Sequence, residues 1–362
     1  MSSKVVILGG GVAGMSAAHE LVERGFQVAV YELKSIPGGK ARSMPVPNSG
    51  TEGRRDLPGE HGFRFFPKFY RHITDTMKRI PYGDNRHGVF DNLVEGSELG
   101  LAFFDREMLP FMAEFPRTFQ DWKTVIKSIF DNNLGLSEHD VEQYVSRLWQ
   151  VMTSCDERRL LEYQRIAWWD FIEADKQSDA FRKVFTGLTR ILVAAKAREA
   201  NTGTIGTVGA TLMMDMVTPG SSADRLLCGP TNEVWIQPWL DYLTGSGVDY
   251  HLQAKVTAIH CSNGRVTGID IEENGITMTV EGDYYVSALP VEVMAPLISR
   301  DMLQADATLS GIQTLASSVD WMNGIQFYLN EDVKVIHGHV IYMDSPWALT
   351  SVSQAQFWAE LI

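Results

Sequence analysis

Val5-Val6-Ile7-Leu8-Gly9-Gly10-Gly11-Val12-Ala13-Gly14 is the stretch that decides the fold. Four apolar residues in a row suit a strand buried on both faces of a parallel sheet. Gly9, Gly11 and Gly14 then follow at the spacing G-x-G-x-x-G. Gly9 permits a tight turn. Gly11 lets a pyrophosphate approach the backbone with no Cβ in the way, and Gly14 lets a helix pack close to the strand. Residues 15–24 place Ala17, Ala18 and Leu21 on one side of a helix, and Gly25 is a stop signal. Residues 26–31 alternate as a second strand that ends at Glu32. The helix N-terminus presents free N–H groups and a positive dipole end to phosphate, and Val12 and Ala13 within the motif are candidate cofactor contacts. Glu32 stands where an acidic side chain accepts hydrogen bonds from both ribose hydroxyls and disfavours a 2′-phosphate. The fold class is α/β, with a Rossmann-like domain built for an adenine dinucleotide.

A second glycine pair narrows the choice of dinucleotide. Gly38-Gly39-Lys40-Ala41-Arg42 comes six residues after Glu32. It suits a loop folded back over the pyrophosphate, with Lys40 and Arg42 adding positive charge. Together the two motifs resemble the FAD-binding fingerprint of the flavin amine oxidase and phytoene desaturase superfamily. Lys40 after the glycine pair looks more like the plant and cyanobacterial carotene desaturases. The likeness continues through Gly59-Glu60-His61-Gly62-Phe63-Arg64-Phe65-Phe66 and on to Tyr70. In such desaturases a similar segment runs past the flavin ring, so the resemblance implies that Gly62, Phe63 and Arg64 line the cofactor. It also implies that Val256 gives backbone contacts to the adenine and that Ala288, in a strand–Ala–x–Pro exit, lies beside FAD.

The rest of the chain divides by pattern. Residues 44–58, rich in Pro, Gly and charge, read as a loop. Residues 68–217 read as mostly helical, with helices expected over 139–154 (N-capped by Ser137), 160–174, 180–195 and 207–217. The run 101–112, continued by Phe115-Pro116, is compatible with an apolar pocket wall, with core or with a membrane-facing entrance. Trp168-Trp169 reads as packing, and Glu138-His139-Asp140 as a solvated cluster. Residues 220–229 are turn-like and 232–243 helical. Strands follow over 248–252, 255–262, 266–272, 276–280 and 283–288, joined by the hairpin signals Asn263-Gly264 and Asn274-Gly275. Trp321, 327–329 and 339–342 suit strands. By resemblance to two-domain flavoproteins, residues 1–65 and 225–295 form a discontinuous FAD domain. Residues 66–224 and 296–362 form a largely helical substrate domain.

Composition sets outer limits. The formal charge of -13, from 32 Lys+Arg and 45 Asp+Glu, argues against nucleic-acid binding by phosphate neutralisation. Cys155, Cys228 and Cys261 form no CxxC pair, which speaks against a disulfide framework or zinc site and fits a reducing compartment. The chain contains no zinc-binding H-E-x-x-H, no G-x-S-x-G and no Walker lysine loop. Val5–Leu8 is too short for a signal-peptide core, and no stretch nears the roughly 18 apolar residues of a membrane span. The expected setting is cytoplasmic, with room for peripheral membrane contact.

Three functions fit these residues. The first is FAD-dependent desaturation or dehydrogenation of an isoprenoid or carotenoid-like lipid, an apolar small-molecule substrate, with the electron acceptor left open. The second is a flavin amine oxidase. The third is an inactive or incomplete flavoprotein that needs a partner, because the late Gly-Asp segment that the family uses against the flavin pyrophosphate is absent from the sequence. No catalytic residue stands out.

Overall fold

The computed structural model describes residues 2–358 except 63, 113–133, 217, 219–223, 332 and 334. The strands are β1 (Lys4–Leu8), β2 (Gln27–Glu32), β3 (Ser43–Pro45), β4 (Pro58–Glu60), β5 (Leu93–Glu95), β6 (Glu98–Ala102), β7 (Leu109–Met112), β8 (Arg225–Leu227), β9 (Asp249–Leu252), β10 (Ala254–Ser262), β11 (Arg265–Glu273), β12 (Ile276–Val280), β13 (Tyr284–Ser287), β14 (Gly338–Tyr342) and β15 (Thr350–Val352). The helices used below are α1 (Val12–Glu23), α2 (His72–Arg79), α3 (Glu138–Met152), α4 (Thr202–Met216), α5 (Gln237–Gly245) and α6 (Arg300–Ala305).

A parallel sheet in the order β13-β1-β2-β9 carries the first motif. Its central strand is buried on both faces, as a continuous apolar run requires. Val5 and Ile7 meet Met15, Ala18, Val28, Val30 and Trp239 on one side. Val6 and Leu8 meet Ala29, Tyr31, Ala254 and Ile269 on the other. The antiparallel sheet β10-β11-β12 and Met302 of α6 complete that second layer. Both hairpins turn where expected. Asn263 and Gly264 have φ of 51° and 74°, and Asn274 and Gly275 have 52° and 76°, the positive pairs that match strand twist.

Elsewhere long-range pairing overrides local pattern. Within 68–217, β5, β6 and β7 interrupt the expected helices. β6 pairs in parallel with β14 and antiparallel with β7, so residues 98–112 belong to a sheet completed more than 200 residues later. Phe115 and Pro116 lie outside the described residues. β3 and β4 pair across the expected loop at 44–58, and β8 lies fully buried within the expected turn at 220–229. Residues 160–174 are not one helix. Trp168 and Trp169 donate their backbone N–H groups to Ala200 and Ala197 at 2.9 Å each, which breaks the run. Trp168 is core, and Trp169 lies under the Arg198 guanidinium at 3.7 Å, so the doublet packs as expected.

Two further expectations change. Asp140 is 2% exposed rather than solvated. Its carboxylate accepts from the Ser137 N–H and hydroxyl at 2.8 Å each and from the Ser178 hydroxyl at 3.0 Å, while Ser137 Oγ accepts from Asp140 N–H. That is a capping box at the start of α3. Trp321 and residues 327–329 form no strand, because no neighbouring strand among the described residues supplies ladder bonds. Gln326 and Tyr328 instead bond to the Pro58 carbonyl on β4, and Ile325 and Phe327 are 80% and 77% exposed.

A polar pin joins α1 to its neighbours. His19 is fully buried inside the apolar layer. Trp239 of α5 donates its indole N–H to His19 Nδ1 at 3.0 Å. An indole only donates, so Nδ1 is unprotonated and the neutral ring carries its proton on Nε2, 3.0 Å from Glu23. Glu23 also accepts from Tyr242 of α5 at 2.8 Å and pairs with Arg79 of α2. Burial lowers the His19 pKa below its ordinary 6.5, outweighing the pull of Glu23.

Two predictions follow from these contacts. Ser137→Ala removes the cap of α3 and lowers unfolding free energy by about 0.5–2 kcal/mol, read from urea denaturation. For His19, the unfolded chain binds the proton more readily than the folded one. Wild-type stability therefore falls as pH drops below 6.5 toward the lowered folded value, and His19→Gln flattens that slope in pH-dependent denaturation.

Candidate functional site

The first glycine turn sits at the carboxyl end of β1. Gly9 has φ of 101°, and its N–H donates to the Tyr31 carbonyl at 2.9 Å. A Cβ on Gly14 would overlap the Gly9 carbonyl, so only glycine lets α1 come this close. Ala288, just past β13, seals the same corner: its N–H reaches the Leu8 carbonyl at 2.8 Å. The first bond inside α1 runs from Met15 N–H to the Gly11 carbonyl at 2.9 Å. The N–H groups of Val12, Ala13 and Gly14 thus have no acceptor within the helix. Gly11 offers no side-chain cap, and the first turn holds no acidic residue. That leaves the positive end of α1 available to an anion.

The second glycine loop folds directly onto the first. Gly38 and Gly39 have φ of 95° and 57°, and Gly38 N–H donates to the Gly10 carbonyl at 3.1 Å. A Cβ on Gly39 would lie 2.9 Å from Gly11 Cα. Basic groups gather here in an otherwise acidic chain. Arg42 donates to the Gly39 carbonyl at 2.6 Å. Arg64 donates to the carbonyls of Gly62 at 2.8 Å and Lys40 at 2.5 Å. Burial, together with the charges of Arg42, Arg64 and Lys40, lowers the pKa of His61. Phe63 lies outside the described residues.

Glu32 is buried at the end of β2. One carboxylate oxygen accepts from Gly10 N–H at 2.7 Å and the other from Lys34 N–H at 2.8 Å. Each oxygen keeps a second acceptor site for a hydroxyl. Val256 lies on β10 opposite Ile271, beside a register shift, and packs against the layer that holds Leu8 and Tyr31. The structure therefore gathers Gly9, Gly11, Val12, Ala13, Gly14, Gly38, Gly39, Lys40, Arg42, Gly62, Arg64 and Ala288 around the start of α1, with Glu32 behind the turn.

Several participants escape a sequence reading. A Cβ on Gly10 would overlap the Tyr250 hydroxyl and lie 2.8 Å from Glu32 Cβ; the unbroken triplet Gly9-Gly10-Gly11 was its only signal. Asn232 and Ser43 exchange bonds: Asn232 Oδ1 accepts from Ser43 N–H at 2.6 Å, and Asn232 N–H donates to Ser43 Oγ at 2.9 Å. Glu60 accepts from Thr231 N–H at 2.9 Å and from its hydroxyl at 2.7 Å, and burial raises its pKa. These bonds tie the second glycine loop and β4 to the segment leading into α5. No local pattern announces them, because each joins residues over 170 positions apart.

A cleft of about 800 Å³ opens beside this cluster. Val12, Ser16 and Glu20 form one wall along α1, and His72, Asp75, Thr76 and Arg79 form the other along α2. Phe65, Phe66, Tyr70 and Trp235 supply aromatic lining.

An uncapped helix start, a bare Gly11 and converging basic side chains fit a pyrophosphate. Gly11→Val sets a branched side chain against Gly39, and FAD uptake should be lost in equilibrium dialysis. Glu32→Ala should weaken FAD binding by about 1.5–3 kcal/mol, the usual worth of hydrogen bonds to a charged group, read by flavin fluorescence quenching.

Comparison with known proteins agrees with this geometry. The family described as "Flavin containing amine oxidoreductase" matches residues 12–330. A protein named "Probable zeta-carotene desaturase" from Synechococcus elongatus is 26% identical over 307 residues, covering 80% of this chain and 58% of its own length. The "Zeta-carotene desaturase" of Synechocystis is 25% identical over 309 residues, covering 82% of this chain and 60% of its own. The chain thus spans about three fifths of these relatives. Among solved structures, putrescine oxidase bound to putrescine superposes with a TM-score of 0.53 at 14% identity, over 82% of this chain and 60% of that one, a likeness of fold. No helix among the described residues is long and apolar enough to cross a membrane. With the family matched over most of its length and a turn shaped for a dinucleotide pyrophosphate, this chain belongs to the flavin-containing amine oxidoreductase family, and its cofactor is FAD.

Proposed function

We propose that the protein is an FAD-dependent desaturase or dehydrogenase of an apolar, isoprenoid-type substrate. The observation that carries this reading is the state of the charges around the aromatic cleft. An amine held by a salt bridge needs a free carboxylate for its cation. The carboxylates lining the cleft, Glu20 and Asp75, are both engaged by Arg79. The Arg79 hydrogen bond, with Arg24, brings the Glu20 carboxyl down to about 2. The apolar part of the lining is Val12, Phe65, Phe66, Tyr70, Ile73 and Trp235, beside the polar Ser16, Arg64, His72 and Thr76. A polyene offers no charged handle and binds by apolar burial, so such a wall suits it. The similarity to zeta-carotene desaturases points the same way.

When bound, FAD supplies the hydride acceptor. The protein's own residues do the rest. The first turn of α1 and the Gly38–Gly39 loop hold the pyrophosphate, Glu32 holds the ribose, and the aromatic segment orients the substrate and excludes water. The apolar side chains of Trp321, Met322, Ile325, Phe327 and Leu329, all well exposed, suit transient contact with the lipid phase from which such a substrate arrives.

The test is anaerobic reduction of the FAD-loaded chain. A partly saturated carotenoid in detergent micelles should bleach the flavin and shift its own absorption to longer wavelength as conjugation extends. Bleaching by putrescine or another amine, with none by the carotenoid, would replace this reading with amine oxidation. Bleaching by neither would favour a flavoprotein that needs a partner.

A further inference from the structure

We infer that Tyr250 is a positioning residue for the pyrophosphate-binding turn, acting through the peptide that links Gly10 to Gly11; the inference rests on the assignment of FAD to that turn. Tyr250 lies on β9, a strand with no recognisable part in the glycine motif. β9 runs parallel beside β2, with Tyr250 opposite Val30. From there its hydroxyl reaches over and donates to the Gly10 carbonyl at 2.8 Å.

Two more bonds close on the same residue. Gly38 N–H also donates to the Gly10 carbonyl, at 3.1 Å. Glu32 accepts from Gly10 N–H at 2.7 Å. A trans peptide is planar, with its C=O and N–H pointing in opposite directions. Holding the Gly10 carbonyl toward β9 and the Gly38 loop therefore turns the Gly11 N–H the other way. Gly11 is the N-cap of α1, so the direction of this amide sets the first donor of the anion site. Tyr250 and Gly38 share the carbonyl from the interior, where neither competes with a phosphate for the outward N–H.

The fit leaves no room for a side chain at position 10. A Cβ on Gly10 would overlap the Tyr250 hydroxyl. Burial and the nearby Glu32 charge raise the Tyr250 pKa, so the phenol remains a donor through the physiological range. Its role is thus structural in mechanism but specific in effect: it orients a donor to phosphate without touching the ligand.

Tyr250→Phe keeps the ring and deletes the donor. Dissociation constants for FAD and riboflavin come from fluorescence quenching, and for ADP from displacement of FAD. The variant should bind FAD and ADP about three- to tenfold more weakly, the worth of one hydrogen bond. Riboflavin, which has no phosphate, should bind as it does to wild type, and the melting temperature should move by no more than a few degrees. Unchanged FAD and ADP affinities would overturn the inference, as would equal weakening of riboflavin, which would mark a general loosening of the site. Wild-type protein that takes up neither FAD nor ADP would overturn the FAD assignment itself, and the inference with it.

Discussion

The close approach of two backbone turns governs this molecule. Gly39 lies so near Gly11 that a Cβ on the former would come within 2.9 Å of the latter's Cα. Two chain segments some 28 residues apart can share that space because Gly39 carries no side chain there. The contact forces the chain after β2 to return across the carboxyl end of β1, where the parallel sheet leaves its crevice. Arg42 and Arg64 arrive with that return, Arg42 donating to the Gly39 carbonyl and Arg64 to those of Lys40 and Gly62. Positive charge is thereby fixed beside the helix start by backbone geometry, in a chain whose overall charge is -13.

Supporting that approach takes bracing from elements distant in sequence. α1 must hold its angle on the sheet, and it does so through both apolar packing and the buried His19–Trp239 bond. The Glu23–Arg79 pair extends the same brace to α2. A buried imidazole in an apolar layer is costly unless both nitrogens have partners. Here the indole hydrogen-bonds Nδ1, and the Glu23 carboxylate stands 3.0 Å from Nε2. Because α2 is held by this network, its face across from α1 stays open, and the cleft between them keeps its width. The acidic residues along that cleft, Glu20 and Asp75, pair with Arg79 of the brace, beside the aromatic lining.

The second four-stranded sheet, β15-β14-β6-β7, and the helices around Trp168 form separate cores. They approach the cofactor region through short links. Arg225 of β8 donates to the carbonyls of Phe66 and Pro67 at 2.8 and 3.1 Å, and Phe69 N–H donates to Asp215 of α4 at 3.1 Å. The aromatic segment after Arg64 is therefore anchored by its backbone from the second half of the chain. Its side chains are left free to shape the cleft.

By itself the sequence determined what local spacing can encode: the β-α-β unit, the two glycine turns, the acid at the end of β2, the cap at Ser137 and both Asn-Gly hairpins. Each depends on residues within a few turns of one another, and glycine at a positive φ or a close approach leaves a mark in the sequence itself. Only the tertiary structure decided which distant groups meet them. Tyr250 on Gly10, Asn232 on Ser43 and Thr231 on Glu60 join positions whose neighbours look ordinary. Residues 98–102 became a strand because residues 338–342 lie beside them, and the equally strand-like residues 327–329 did not, lacking a partner among the described residues. Asp140 was buried because Ser178, from another segment, completed its hydrogen bonds. Periodicity records which face a residue prefers to bury; it holds no record of the partner across the interface, and the partner decides strand, burial and site.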